Sequence, residues 1–459
     1  MDKLDNIQLS QFNRAYFIGI GGIGMSALAR YFNAIGWEVA GYDKTPSPLT
    51  DELQNEGIKV HFEDLGPSIP AQFKVKEQTL VIYTPAIPKN LGELMFFQNA
   101  EAQLFKRSEV LGLLTRQSKG LGVAGTHGKT TTSSMLAHIL NESQLKCNAF
   151  LGGIATNFNS NLVLNPTSQY TVIEADEFDR SFLKLTPFAS IITSTDPDHL
   201  DIYGDASVFL EGFQMYAQLI QTEGCLVKKE GLEVSSKSTT ISYAIESKTA
   251  DYSGNDLRFI EGEFLMNVRT PNGVMANVQL GIPGIHNAEN AVACIALTEF
   301  LGLSEEEIRL GLSSFLGVKR RFEYKIKTAD LVYIDDYAHH PTEIHALVSS
   351  VRLLYPGKKI TGVFQPHLFS RTRDFFDGFA EELSAMDEVI LLPIYPAREE
   401  PIAGVTSDAL LEKISAPSKM LLSPSEALGY LSKIESGVVL TIGAGDIDRI
   451  VEPLKNALI

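Results

Sequence analysis

The sequence predicts an α/β protein of three successive domains, each built on a largely parallel sheet. Three observations predict it. Short apolar runs alternate with helix-period stretches along most of the chain. Two strand-to-helix junctions are glycine-rich. The length, 459 residues, exceeds what one hydrophobic core ordinarily supports.

The first domain is assigned to residues 1–107. Residues 16–20 read as a buried strand, 25–35 as a helix, 38–42 as the next strand and 79–83 as a later one. That alternation implies a Rossmann-like parallel sheet covered on both faces. The second domain, 108–316, has strand candidates at 121–124, 170–174 and 189–195 and a helical pattern over 130–140. Beyond residue 225 short alternating stretches and the Pro271-Asn272-Gly273 turn predict β hairpins on the edge of a P-loop ATPase-like core. A helical pair over 287–315 closes this block. The third domain, 317–459, is predicted to be a Rossmann-like, doubly wound sheet. Its strands are expected near 331–335, 359–364, 387–392, 419–422 and 437–442, and its helices near 341–354, 371–386, 407–415, 425–434 and 446–457.

Composition narrows the function classes. Hydrophobic residues at 44% and charged residues at 21% are those of a soluble globular chain. A formal net charge of -17 disfavours sequence-independent binding to nucleic acid or anionic lipid. No apolar run approaches the ~20 residues that span a bilayer, so membrane insertion is not expected. Cys147, Cys225 and Cys294 lie far apart, without metal-ligand spacing. They read as free thiols of a cytoplasmic protein.

The chemistry-bearing stretch is Gly125-Thr126-His127-Gly128-Lys129-Thr130-Thr131-Thr132, between a strand and a helix. Glycines let the backbone wrap an anion and the first helical N–H groups point at it. Lys129 adds a point charge, and a hydroxyl at Thr130 suits Mg²⁺. The pattern implies a nucleoside triphosphate, although Val123 stands where the usual G-x-x-x-x-G-K-[ST] loop has its first glycine. Gly19-Ile20-Gly21-Gly22-Ile23-Gly24 forms a second such junction, and Asp43 ends the following strand. It fits a nicotinamide dinucleotide or any other nucleotide diphosphate.

Acidic residues 174–179 include four carboxylates at a strand end, where one is expected to reach Mg²⁺. His199, in Asp198-His199-Leu200-Asp201, reads as a second metal ligand or as a turn residue. His286, Asn287 and Asn290 open a helix and suit a nucleobase, or Asn287 is only a cap. Arg320 and Arg321 mark the second domain junction and either brace phosphate or form a solvated linker. Tyr337 and His339 end one strand of the third domain; His367 and Arg371 end the next. Both are positions where open α/β sheets bind ligands.

Taken in order, these motifs resemble those of the Mur ligase family across essentially the whole chain. The carriers are residues 19–27 (Gly-Ile-Gly-Gly-Ile-Gly-Met-Ser-Ala), the 125–132 loop, Glu-Ala-Asp-Glu at 174–177 and Asp-His-Leu-Asp at 198–201. Arg-Arg-Phe-Glu at 320–323, Asp-Asp-Tyr-Ala-His-His-Pro-Thr-Glu at 335–343 and Phe-Gln-Pro-His at 364–367 complete them. The resemblance implies an ATP-dependent amide ligase of peptidoglycan synthesis, in the branch that adds L-alanine to UDP-N-acetylmuramate. It implies that residues 19–24 and Asp43 hold the UDP sugar rather than NAD. Residues 125–131, His286, Asn287, Asn290 and Arg321 are then the ATP contacts, and Thr130, Glu174 and His199 the Mg²⁺ ligands. Tyr337, His339, His367 and Arg371 place the amino acid and reacting carboxylate; Lys129, His339 and Arg371 are the expected catalytic groups. Segment 205–220 contains no lysine, which fits the alanine-adding branch, since other Mur ligases use a carbamylated lysine there. A monomer or homodimer is expected, with domain closure gating turnover. The alternatives are a murein tripeptide-recycling ligase acting on the same sugar and, from another class, a nicotinamide-dependent dehydrogenase.

Overall fold

The computed structural model describes residues 7–197, 203–260, 263–397 and 399–459. Three sheets appear in chain order. The first comprises β1 (Arg14–Ile18), β2 (Glu38–Tyr42), β3 (Lys59–His61), β4 (Thr79–Tyr83) and β5 (Leu104–Lys106), arranged β3-β2-β1-β4-β5 and parallel throughout. After β1 the chain turns to one side for β2 and later returns to the other for β4. The 19–24 loop therefore sits at the point of reversal, where open α/β sheets leave a crevice.

The second sheet has ten strands: β6 (Lys119–Ala124), β7 (Asn148–Ala155), β8 (Ser160–Val163), β9 (Tyr170–Glu174), β10 (Pro187–Ile192), β11 (Cys225–Lys229), β12 (Thr239–Ile245), β13 (Tyr252–Ile260), β14 (Glu263–Thr270) and β15 (Gly273–Leu280). Their order is β15-β14-β13-β12-β11-β10-β6-β9-β7-β8. Central β6 pairs in parallel with both β9 and β10. The region beyond 225 departs in part from the expected hairpins: β11–β12 and β12–β13 pair in parallel. The connections through residues 230–238 and 246–251 are both longer than the two-residue turn of a tight antiparallel hairpin. The turn at 271–272 does join the neighbouring strands β14 and β15.

The third sheet contains β16 (Glu323–Lys327), β17 (Leu331–Asp336), β18 (Ile360–Phe364), β19 (Glu388–Leu391), β20 (Ser418–Leu421) and β21 (Gly437–Ile442) in the order β16-β17-β21-β18-β19-β20. Only the edge strand β16 is antiparallel to its neighbour. The helix expected over 371–386 is two, Phe369–Asp374 and Phe376–Leu383, broken at Phe375.

Packing divides the chain into two compact units. One contains the first two sheets (through Leu257, with Leu265–Gly281 and Glu289–Leu316); the other comprises Arg258–Phe264, Ile282–Ala288 and Gly317–Ile459. Within the first unit, helix Ile23–Ala34 packs on β7 and β8 of the second sheet. Buried Asn161 of β8 donates to the Ile23 carbonyl at 2.5 Å and to Ser26 Oγ at 2.9 Å, and accepts from Arg30 Nη1 at 2.6 Å. Arg30 in turn pairs with Glu52 and Glu56, each at 2.8 Å. All three cysteines are buried free thiols. Among the described residues, no helix is long and apolar enough to cross a membrane.

Asn161→Ala removes the acceptor of Arg30 Nη1 and one of the donors to the Ile23 carbonyl at a buried junction. It is expected to lower stability by about 2 kcal/mol, as for other buried hydrogen-bonding groups, read as an earlier urea transition of the first unit.

Candidate active site

Because β6, β9 and β10 run parallel side by side, the segments after their last residues converge at one sheet edge. Gly125 (φ 138°) and Gly128 (φ 81°) both occupy backbone conformations that favour glycine. A Cβ on Gly125 would lie 2.0 Å from Thr193 Oγ1, and one on Gly128 would lie 3.0 Å from Asn290 Oδ1. Asn290 thus stands directly beside the loop. Helix Lys129–Glu142 follows, with Thr130 and Thr131 buried in its first turn. The β10 end braces the loop from the other side: Thr126 Oγ1 donates to the Asp196 carbonyl at 2.6 Å, and His127 N–H donates to Ser194 Oγ at 2.9 Å.

Lys129 is largely covered, its side chain 14% exposed, and donates to the Gly125 carbonyl at 2.6 Å and to Glu177 Oε1 at 2.8 Å. Burial opposes its charge, but Glu177, Asp176 and Glu174 more than offset this, so its pKa is raised. Burial pushes the Glu177 carboxyl up to about 7, against the pull of Lys129. Lys129 faces three carboxylates, of which Asp176 also pairs with Arg107, and Glu174 Oε2 and Glu177 Oε2 are buried without hydrogen-bond partners among the described residues. Buried carboxylate oxygens lacking donors, beside a threonine at a helix start, fit a hard divalent cation. Among the described residues no group of three or more His, Cys, Asp or Glu forms a ready metal cage. His199 lies outside the described residues.

At the first glycine-rich loop, Gly19 (φ 91°) lets the chain turn beneath Thr84. Asp43 Oδ2 accepts from Gly21 N–H at 2.7 Å, so this carboxylate braces the loop itself. Arg107 comes so near Gly24 that a Cβ there would lie 2.2 Å from its Nη1. Arg107 Nη2 also pairs with Asp176 at 3.0 Å.

In the second unit, Tyr337, just after β17, lies beneath two arginines, 5.2 Å from Arg320 and 5.0 Å from Arg321. Arg321 reaches Glu343 at 3.8 Å. His339 Nδ1 faces the Tyr337 carbonyl at 3.0 Å. Since a carbonyl only accepts, Nδ1 carries the proton and Nε2 a lone pair. His339 lies edge-on to His367 at 6.4 Å between ring centres, and His367 stacks on Tyr395 at 5.7 Å. Arg371 acts electrostatically on His339. Burial pushes His339 down to about 4, with Glu343 opposing and Arg371 and Arg321 adding to the shift. His286 is also pushed down to about 4, by burial and then by Arg321. Asn287 donates to the Pro283 carbonyl at 2.6 Å, turning its amide back on the loop before the helix.

Family models match in the same order: the Mur ligase family, catalytic domain over residues 14–119, the Mur ligase middle domain over 123–298 and the Mur ligase, glutamate ligase domain over 320–445. The UDP-N-acetylmuramate–L-alanine ligase of Porphyromonas gingivalis is 51% identical, covering 97% of this chain and 99% of its own. The enzyme of the same name from Parabacteroides distasonis is 49% identical, covering 98% of each chain. The chain belongs to the Mur ligase family. Its fold matches the crystal structure of UDP-N-acetylmuramate–alanine ligase from Thermotoga maritima with a TM-score of 0.80 and 27% identity, over 96% of this chain and 98% of that one.

As a Mur ligase, the chain gathers the expected loop residues 125–131 with Glu174 and Asn290 in one unit, and Arg321, Tyr337, His339, His367 and Arg371 in the other. Sequence reasoning quoted Asp176, Glu177 and Glu343 within motifs without giving each a role, and it missed Arg107 and Tyr395. Glu343 carried a signal, being four residues after His339 on a helix start; Arg107 and Tyr395 carried none, because only tertiary packing brings them in.

The His339 shift has a stability consequence. Unfolded, the imidazole titrates near 6.5; folded, near 4. The unfolded chain takes the proton first, so this group's contribution is present above 6.5 and lost as pH falls toward 4. Relative to His339→Asn, the wild-type urea midpoint is expected to fall more steeply between pH 6.5 and 4.5, by up to about 2 kcal/mol. Parallel urea titrations of the two proteins at both pH values check this.

Proposed function

We propose that the chain joins L-alanine to the lactyl carboxylate of UDP-N-acetylmuramate, with ATP converted to ADP and phosphate, as a step of peptidoglycan precursor synthesis. The observation that carries this reading is whole-length similarity to two ligases of that name, combined with a lysine-bearing phosphate loop and an acidic strand end. Three functional segments follow: 1–107 for the UDP sugar, 108–316 for ATP and 317–459 for the amino acid.

A carboxylate does not acylate an amine directly, because oxide is a poor leaving group. Attack of the lactyl carboxylate on the γ-phosphorus gives an acyl phosphate and ADP. The alanine ammonium gives up a proton to water, its amine attacks the acyl carbon, the C–O bond to phosphate breaks, and phosphate leaves with the second N–H proton. Lys129 and the N–H groups of residues 128–130 oppose the charge that grows on the phosphoryl oxygens. Thr130 and Glu174 would hold Mg²⁺, and His199 a second ion, which would supply electrostatic screening between two anionic reactants. Asn290, Asn287 and His286 surround the base, and Arg321 approaches the phosphates. Residues 19–24 grip the diphosphate of the sugar nucleotide. Arg371 pairs with the carboxylate of alanine, and Tyr337 and His367 wall its pocket. His339, neutral and with its Nε2 lone pair available, accepts a hydrogen bond from the amine.

Purified protein given ATP, Mg²⁺ and UDP-N-acetylmuramate is expected to release ADP fastest with L-alanine. Glycine and serine should be slower by the about 1–3 kcal/mol that one small group is worth. Faster release with the L-alanyl-γ-D-glutamyl-meso-diaminopimelate tripeptide would instead assign a recycling ligase. Lys129→Ala is expected to lower turnover by roughly 10²–10³, the loss seen on removing one preorganised charge contact; near-normal turnover would remove Lys129 from the phosphoryl step.

A further inference from the structure

The acidic segment after β9 carries more negative charge than the loop lysine neutralises, and it is fastened in place. The Tyr203 hydroxyl donates to the Glu177 carbonyl at 2.6 Å. On either side, Asp176 pairs with Arg107 at 3.0 Å and Asp179 with Lys106 at 2.5 Å. Asp179 and Arg180 then turn through left-handed backbone, each with φ of 53°. Glu177 is therefore held from both sides, whereas Lys129 sits on a flexible four-carbon stem. Separating the pair therefore means moving the lysine ammonium, which also donates to the Gly125 carbonyl at 2.6 Å.

That lysine is the group a triphosphate requires, and Glu177 Oε1 engages it at 2.8 Å. The phosphates must compete with a buried carboxylate for it. They would also approach the buried oxygens Glu174 Oε2 and Glu177 Oε2, which find no donor among the described residues. Like charges at short range in a poorly solvated pocket repel strongly. A divalent cation changes both terms, because it takes up the unpartnered oxygens and releases the lysine.

We infer that Glu177 is a positioning residue that makes triphosphate binding conditional on its divalent cation, by competing with the phosphates for Lys129 until the cation neutralises the carboxylates. The inference rests on reading residues 125–130 as the triphosphate site. It adds to that reading a role for Glu177, an acid that the reading leaves without one.

The test is equilibrium binding of a non-hydrolysable ATP analogue to the full chain, with Mg²⁺ and with EDTA. Wild type is expected to lose at least about tenfold in affinity when Mg²⁺ is removed. Glu177→Gln should lose less than about threefold, chiefly because its metal-free binding improves, and Glu177→Asp should restore the dependence. An unchanged Mg²⁺ dependence in Glu177→Gln overturns the inference. Failure of wild type to bind the analogue even with Mg²⁺ sinks the site reading itself. A second variant tests the same charge surplus without altering Glu177. In Lys129→Met, Glu174 and Glu177 lose their counter-charge, so Mn²⁺ binding without nucleotide, followed by electron paramagnetic resonance, should tighten at least about tenfold. No gain there overturns the inference independently.

Discussion

Burying the charge of Lys129 is the constraint around which the first unit is arranged. An ammonium removed from water needs opposite charge at close range, and Glu177 supplies it at 2.8 Å. A carboxylate can do so only if its own segment is fixed, and that fixing comes from the first sheet. Lys106 and Arg107, at the end of β5 and the start of the next helix, reach Asp179 and Asp176. The first sheet is in turn seated on the second through Asn161, Ser26 and Arg30. The glycine-rich loop at the first sheet's reversal point and the phosphate loop at the centre of the second are thus linked by packing at Arg107 and by the Arg107–Asp176 and Lys129–Glu177 ion pairs. Arg107 lies at the middle of this link, against Gly24 on one side and Asp176 on the other.

The second unit answers a similar demand with buried carboxylates at a strand end. Asp335 accepts from Thr441 Oγ1 at 2.6 Å and from Arg320 Nε at 3.2 Å. Asp336 accepts from the N–H groups of Phe322 and Ala338, each at 2.7 Å, while burial raises its pKa to about 6. These bonds tie the 320–322 turn, in which Arg320 and Phe322 both have positive φ, to the end of β17. Such strained backbone persists only where its surroundings over-determine it. The result is that two arginines, a tyrosine and a histidine occupy fixed positions although all are on irregular chain.

Much of the fold was legible in the sequence, because fully buried parallel strands write themselves as apolar runs. Residues 38–42, 79–83 and 170–174 form strands over the bounds read from the sequence, and helix 341–354 does likewise. What escaped notice lacked that signature. β3 and β5 are only three residues long, and β16 is an edge strand of mixed, partly exposed residues. The parallel course of β11 to β13 was read as hairpins, since alternation reports which face is buried and not the direction of the neighbouring strand. Helix 371–386 was read as continuous because its apolar period survives the break at Phe375. In the candidate site, local motifs revealed the residues that sit on loops after strands. Their partners from elsewhere, Arg107 and Tyr395, were silent, as no local pattern encodes a contact made only on folding.

A chain with a net charge of -17 that handles phosphates and carboxylates has to solve an electrostatic problem. Its candidate-site cations are not left bare: Lys129 pairs with Glu177, Arg107 with Asp176, Arg320 with Asp335 and Arg321 with Glu343. Anion binding at such places is an exchange of one partner for another, so attraction at long range is weak and geometry at short range decides. A polyanion without the right shape meets only the acidic surface and is repelled. A ligand that presents its phosphates along a glycine-lined loop, or its carboxylate in a planar fork, recovers what the ion pair gives up. Selectivity for small, shaped anions therefore follows from pairing these four cations in advance, at the expense of raw affinity.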